Sequence, residues 1–128
     1  MGKLLVFVGI GGFVGSVLRY VASGYVQQLT QSTNFSYGTI AVNVIGCFII
    51  GFVSQLVDSY SLLNAETRAL VIPGFLGGFT TFSTFSNETL NLFRDGETPL
   101  ALINVMAHIV LGLGAVWAGR ALASSIWR

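Results

Sequence analysis

Charge is scarce in this chain. Six basic and five acidic residues make up only 9% of its 128 positions, against about 25% in ordinary soluble domains. So few charges cannot cover a surface in water, and with 53% hydrophobic residues the chain demands lipid around it. The net charge of +1 is spread thinly and leaves no basic patch for nucleic acid. Cysteine is equally rare. Cys47 stands alone, which excludes a disulfide within the chain, and in "VIGCFIIG" it reads as a small hydrophobe. The one histidine, His108, lies on a different apolar stretch. One Cys and one His so placed provide neither a nucleophile–base pair nor a metal cluster, which argues against a membrane enzyme. Proline occurs only twice: Pro99 suits the first turn of a helix, whereas Pro73 falls inside an apolar run.

Long apolar runs are what the chain does have. A helix needs about 20 such residues to cross the hydrocarbon core, and four stretches qualify: 4–26, 37–57, 69–93 and 100–122. The first begins like a signal peptide, with Lys3 ahead of an apolar run. Apolar character resumes after Arg19-Tyr20, so a retained first helix is expected. "QQLTQSTNFS", "DSYSLLNAET" and "RDGETP" connect the spans, and from Asp58 to Thr67 a short interfacial turn is expected, with Asn64 as a cap and Thr67 ahead of the third helix. The predicted architecture is a single all-α membrane domain over residues 1–128. Glycine is abundant, 16 in all and concentrated in the spans. Small residues let membrane helices approach closely, but four such thin helices enclose little, so an oligomer is expected.

The third run holds the unusual stretch, "GGFTTFSTFS" from Gly77 to Ser86. An interior Pro costs a helix about 3 kcal/mol and each Gly about 1. Pro73-Gly74 and Gly77-Gly78 therefore predict a helix broken near Gly77–Ser83. Non-helical backbone at membrane depth survives only when buried in protein or lining a polar cavity, and it frees carbonyls and amides to bind ions. After the glycines the pattern has period three: Phe79, Phe82 and Phe85, then Thr80, Ser83 and Ser86, then Thr81, Thr84 and Asn87. Residues so spaced are neighbours on a helix. In one reading Phe faces lipid and the hydroxyls bond back to i−4 carbonyls. In the other, electron-poor ring edges beside hydroxyl donors form a weak anion site. Five hydroxylated residues among the seven from Thr80 to Ser86 favour the second. Asn43, with Thr39 one turn earlier, and the i, i+4 pair Asn104 and His108 add intramembrane polar groups. Such groups usually face a bundle interior, and for His108 a bond to a neighbouring helix is as well supported as a pore role.

"GGFVGSVLRY", "GTIAVNVIGCFIIG" and "GGFTTFSTFSNET" together resemble the Fluc (CrcB) family of fluoride channels, in the same order and spacing. The resemblance implies a dual-topology antiparallel homodimer with two fluoride pathways and a structural sodium ion at its centre. It implies that Phe82 and Phe85 are the pore phenylalanines and Asn43 the pore amide, with Thr39, Ser83 and Thr84 as further contributors. It also implies that backbone carbonyls of Gly77 and Thr80 from both subunits hold Na+, and that Arg19 matches the family's first-span arginine. The function implied is passive export of fluoride across a bacterial inner membrane. The fourth span departs from the family, which tends to carry hydroxyl side chains where Asn104 and His108 stand.

The competing reading is a dual-topology exporter of the small multidrug resistance type, which exchanges protons for cationic compounds. That class uses a membrane-embedded glutamate in its first span, and here the first span has no acid. With four spans, Lys3, Arg68, Arg120 and Arg128 fall on one side and Arg94 on the other, with Arg19 near the end of its span. Arg19 and Arg120 lie partly within helices, so the loop charges that set orientation are nearly balanced. A cysteine introduced at the C-terminus should therefore be labelled by impermeant maleimide from both faces of the membrane. Labelling from one face alone would exclude dual insertion.

Overall fold

Residues 1–127 are described by the structure, a computed structural model, and the regular elements among them are all helices. In order they are α1 (Gly2–Thr30), α2 (Tyr37–Tyr60), α3 (Ala65–Ala69), a π-helical segment (Leu70–Leu76), α4 (Gly77–Phe79), α5 (Phe82–Arg94) and α6 (Thr98–Ile126). The elements from Ala65 to Arg94 form one span, and with α1, α2 and α6 they give four helices long and apolar enough to cross a membrane.

The helices mostly run a few residues past the apolar stretches that mark them, because capping rather than hydropathy sets their ends. Gln31 and Ser61 close α1 and α2 in the left-handed conformation, at φ 53° and 51°. Asn64 accepts the Thr67 N–H at 2.8 Å and so caps α3. Pro99 sits in the first turn of α6. The connection between α1 and α2 is tied by one side chain: Gln27 donates to the carbonyls of Ser32 (2.7 Å) and Phe35 (3.0 Å) and accepts from the Gly38 N–H at 3.1 Å. That last bond satisfies a donor at the start of α2 that the helix itself leaves open.

Pro73 does not end its helix. A proline lacks the N–H an α-helix would use and crowds the preceding turn, and the chain responds by winding wider. Gly77 N–H reaches the Ile72 carbonyl five residues back, the π-helical spacing. Gly77 keeps helical angles (φ −61°, ψ −36°), so the proline and glycines bend the winding without stopping it. The last helical hydrogen bond before the interruption runs from the Thr80 N–H to the Leu76 carbonyl at 3.0 Å, and the backbone then turns extended at two threonines. Thr80 (φ −94°, ψ 159°) and Thr81 (φ −151°, ψ 119°) are extended, and α5 starts at Phe82 with the Thr81 hydroxyl accepting the Thr84 N–H at 3.2 Å. This interruption separates the phenylalanines expected to form one stripe. Phe79 is buried and stacks on Phe75 with centroids 5.6 Å apart, whereas Phe82 is 79% exposed.

Packing is backbone against backbone. The most extensive pairing joins α2 to α6, while α1 lies along the π-helical segment and α4. A Cβ placed on Gly51 would strike the Val116 carbonyl, and one on Gly119 the Phe48 carbonyl. Gly11 and Gly15 meet the Leu70 and Phe75 carbonyls in the same way. The interior is correspondingly slight, with Val42, Leu76, Phe79, Leu92, Ala101 and Ala123 among its buried apolar residues. Phe13, Leu113 and Trp117 are among the many large apolar side chains on the outside. In water such a surface would aggregate; in lipid it is the solvated face. Two ion pairs, Lys3–Glu66 at 2.6 Å and Arg120–Asp58 at 3.2 Å, join helix ends. Exposed pairs of this kind contribute at most about 1 kcal/mol.

Replacing Gly51 by Val should separate α2 from α6 and destabilise the fold by about 1–3 kcal/mol, as overpacking does. Gly114→Ala, with open space around its Cα, should be neutral. Thermal unfolding in detergent measures both, and equal stability of Gly51→Val and the parent would contradict the packing described.

Candidate functional site

A cleft of about 470 Å3 opens where α2, the π-helical segment, the extended threonines, α5 and α6 meet. Its walls are largely apolar, including Val44, Ile50, Ile72, Leu76 and Ile109. Into it come Asn43 and Cys47 from α2, Thr80 and Thr81 from the interruption, Phe82 and Phe85 from α5, and His108 from α6.

Asn43 organises this site. Its Oδ1 accepts the Thr81 N–H at 2.8 Å and its Nδ2 donates to the Thr81 carbonyl at 3.1 Å. One side-chain amide thus takes both polar groups of a residue that has left the helix. A peptide unit unpaired at membrane depth is costly, so this clamp is what allows the chain to be extended there. Asn43 Nδ2 also lies 3.2 Å from His108 Nε2, and His108 Nδ1 lies 3.0 Å from the Asn104 carbonyl. The His108 ring packs on Phe85 at 4.2 Å, and Phe85 on Phe82 at 5.7 Å, so amide, imidazole and two aromatic rings form one continuous lining.

The hydroxyls divide into two sets. Thr80 and Ser86 bond back to the carbonyls of Leu76 and Phe82 at 2.8 and 2.9 Å. Thr81 instead donates to the Thr84 hydroxyl at 3.1 Å and lies 3.3 Å from the Ser83 hydroxyl, making a small cluster at the start of α5. The density of hydroxyls in the sequence therefore serves both helix bonding and the site.

Thr39 and Asn104 lie apart from the cleft lining. Thr39 is buried and donates to Glu88 Oε1 at 2.8 Å. Asn104, only 2% exposed, donates to Thr89 Oγ1 at 2.8 Å. This second polar cluster leaves Glu88 Oε2 and Asn104 Oδ1 buried with no partner among the described residues. Arg19 lies on α1, outside the cleft lining. Two residues with central positions escaped the sequence reading: Thr81 as the clamped residue and Glu88 as the acid opposite Thr39. Thr81 had a signal in its Thr-x-x-Thr spacing ahead of a helix. Glu88, flanked by Ser86, Asn87 and Thr89, had no local signal for that contact.

Among the described residues every regular element is helical; four membrane-length helices, one of them interrupted at Thr80-Thr81 beside a largely apolar cleft that receives a few polar side chains, define a multi-pass membrane protein of the kind that handles small solutes or ions. The family model described as "CrcB-like protein, Camphor Resistance (CrcB)" matches residues 6–120, and the chain belongs to that family. It is 48% identical over 123 residues to the fluoride-specific ion channel FluC of Opitutus terrae, covering 94% of this chain and 92% of that protein. It is 46% identical over 117 residues to the protein of the same name from Elusimicrobium minutum, covering 91% and 90%. The Chlorobaculum tepidum protein of that name is 44% identical over 126 residues, 98% of each chain.

Loss of the clamp has a local readout. Asn43→Leu leaves the Thr81 N–H without a partner, at a cost of about 1–3 kcal/mol, while the Thr81 carbonyl, at the N-cap of α5, keeps the first bond of that helix. Amide exchange at Thr81 should accelerate by about tenfold or more, while that of Ile49 and Ile50, further along α2, stays slow. Unchanged exchange at Thr81 would show that the clamp does not hold it.

Proposed function

We propose that the chain is a fluoride-selective ion channel that lets fluoride leave a bacterial cytoplasm passively across the inner membrane, lowering its toxicity. The observation that carries this reading is a largely apolar cleft that holds polar and aromatic groups but no cation: the Asn43 amide, bonded to the Thr81 carbonyl and beside His108, shares it with the rings of Phe82 and Phe85, and among the described residues neither lysine nor arginine lines it. Fluoride is small and strongly hydrated, so its path must replace water with hydrogen-bond donors. Amide N–H groups and electron-poor ring edges supply partial positive charge, enough to admit an anion yet weak enough to release it. Ser83 and Thr84, clustered on the Thr81 hydroxyl, extend the donors along α5, and Thr39, Asn104 and His108 extend them toward the second polar cluster. The names of the relatives support the same reading.

The cleft is open on one side of a single copy, and a second, inverted copy of the chain is its proposed cover. Near-even loop charge supports the antiparallel homodimer. The residues proposed for sodium fit a cation. In a continuous helix the N–H of Thr81 would bond the Gly77 carbonyl and that of Thr84 the Thr80 carbonyl. Here the first goes to Asn43 Oδ1 and the second to Thr81 Oγ1. Gly77 and Thr80 thus keep carbonyl oxygens to offer a hard cation, which would lock two copies together without taking part in transport. The multidrug-exporter alternative finds less support, since Glu88 lies on α5 and is engaged by Thr39. Nothing in the arrangement calls for covalent chemistry, so an enzyme is not proposed.

Liposomes bearing the purified protein should release fluoride and retain chloride. Phe82→Leu and Phe85→Leu keep apolar volume and remove the ring edge; each should lower fluoride flux about tenfold or more, the effect of about 1.4 kcal/mol. The exposed turn variant Asp95→Asn should conduct normally. Wild-type flux in both Phe→Leu variants would mean that the rings only fill space.

A further inference from the structure

The Asn43 clamp fixes more than the backbone. An amide oxygen and nitrogen can exchange places by a flip, but here the Thr81 N–H is a donor and must face Oδ1. The atom facing His108 is then Nδ2, a donor only. His108 Nε2 must therefore be an acceptor, and the ring proton must sit on Nδ1, where the Asn104 carbonyl accepts it. Both N–H groups of Asn43 are consequently occupied, one by the Thr81 carbonyl and one by His108.

We propose that His108 is the positioning residue of the Asn43 amide, and that its protonation turns the Asn43–His108 contact into a two-donor anion site. The proposal rests on the fluoride-channel reading for the identity of the anion. In the neutral ring the Nε2 lone pair holds an Asn43 N–H and repels an anion. A second proton, delivered as hydronium from the aqueous phase, which returns to water, places Nε2–H against Nδ2–H. Two donors cannot bond each other, so the contact opens, and a small acceptor entering between them satisfies both. Phe85 stays against the imidazole on one side. The titratable groups on the elements packed against His108 are Glu88 on α5 and Cys47 on α2, the latter lining the same cleft; the π-helical segment has none. Fluoride flux should therefore rise as pH falls and the ring gains its second proton.

The single histidine makes the test clean. Protein carrying a tag without histidine and labelled with 15N-histidine should show, in nanodiscs at pH 8, a protonated Nδ1 and a bare Nε2. A protonated Nε2 at pH 8 would overturn the positioning role. Fluoride flux is then followed from pH 8 to 5.5, with the leak of protein-free vesicles subtracted to remove permeating HF. The expected rise is about tenfold, the difference between a neutral and a charge-assisted donor. His108→Gln should flatten the profile, and Glu88→Gln should leave a step. A flat wild-type profile, a step persisting in His108→Gln, or a step abolished by Glu88→Gln alone would each overturn the two-donor site. Absence of fluoride flux from the wild type at every pH would instead defeat the channel reading and the ion step with it, and the 15N spectrum would still decide the positioning role.

Discussion

Two hydrogen bonds between the Asn43 side chain and the Thr81 peptide are the constraint on which the site depends. In the hydrocarbon region every backbone polar group needs a partner from the protein. A helix supplies those partners from itself; where this one stops, the Thr80 N–H still reaches Leu76, but the Thr81 N–H must find its acceptor elsewhere. Asn43 replaces the missing ladder at one residue with one donor and one acceptor in a single planar group. The Thr81 side chain then caps α5, and α5 in turn carries Phe82 and Phe85 to the cleft. Remove the amide and each later placement loses its support.

The same economy explains how a chain with so small an interior holds together. Where soluble proteins fill the space between helices with side chains, α2 and α6 meet at Gly51 and Gly119, and α1 meets the π-helical segment at Gly11 and Gly15. Close backbone approach replaces bulk as the source of dispersion contacts. It leaves the large side chains free to face outward, where lipid receives them.

Much of this was legible in the sequence, and unevenly so. Span number and order followed from apolar run length, because bilayer thickness imposes a length that composition alone can report. Asn64 and Pro99 announced helix starts through chemistry local to a few residues. The third span was harder. Pro73, Gly74 and the Gly77-Gly78 pair carry the strongest breaking propensities, yet the π-helical winding absorbed the proline and the extended residues are threonines with no such propensity. Where the helix yields is decided by which residue finds outside partners, and Asn43 lies 38 positions away in the chain. Similarly, the period-three phenylalanine stripe assumed unbroken helical register, which the extended residues interrupt, sending Phe79 inward and Phe82 outward. The pairing of Asn104 with His108 on one face was readable, but not that Asn104 would turn to Thr89 while offering only its carbonyl to the ring.

The glycine seams have a mechanical consequence. Side chains that interdigitate can slip into new rotamers and let helices slide past each other, as in shear motions between packed elements. Carbonyl oxygens seated against glycine Cα atoms have no rotamers to exchange. The helices joined at Gly51, Gly119, Gly11 and Gly15 therefore form a stiff frame, and freedom of movement is left to the side chains that line the cleft, chiefly the rings of Phe82, Phe85 and His108. Rotations of single rings occur far faster than rearrangements of whole helices. A scaffold of this kind favours passage without a large conformational cycle, in contrast to machines that must rock between two states for each solute moved.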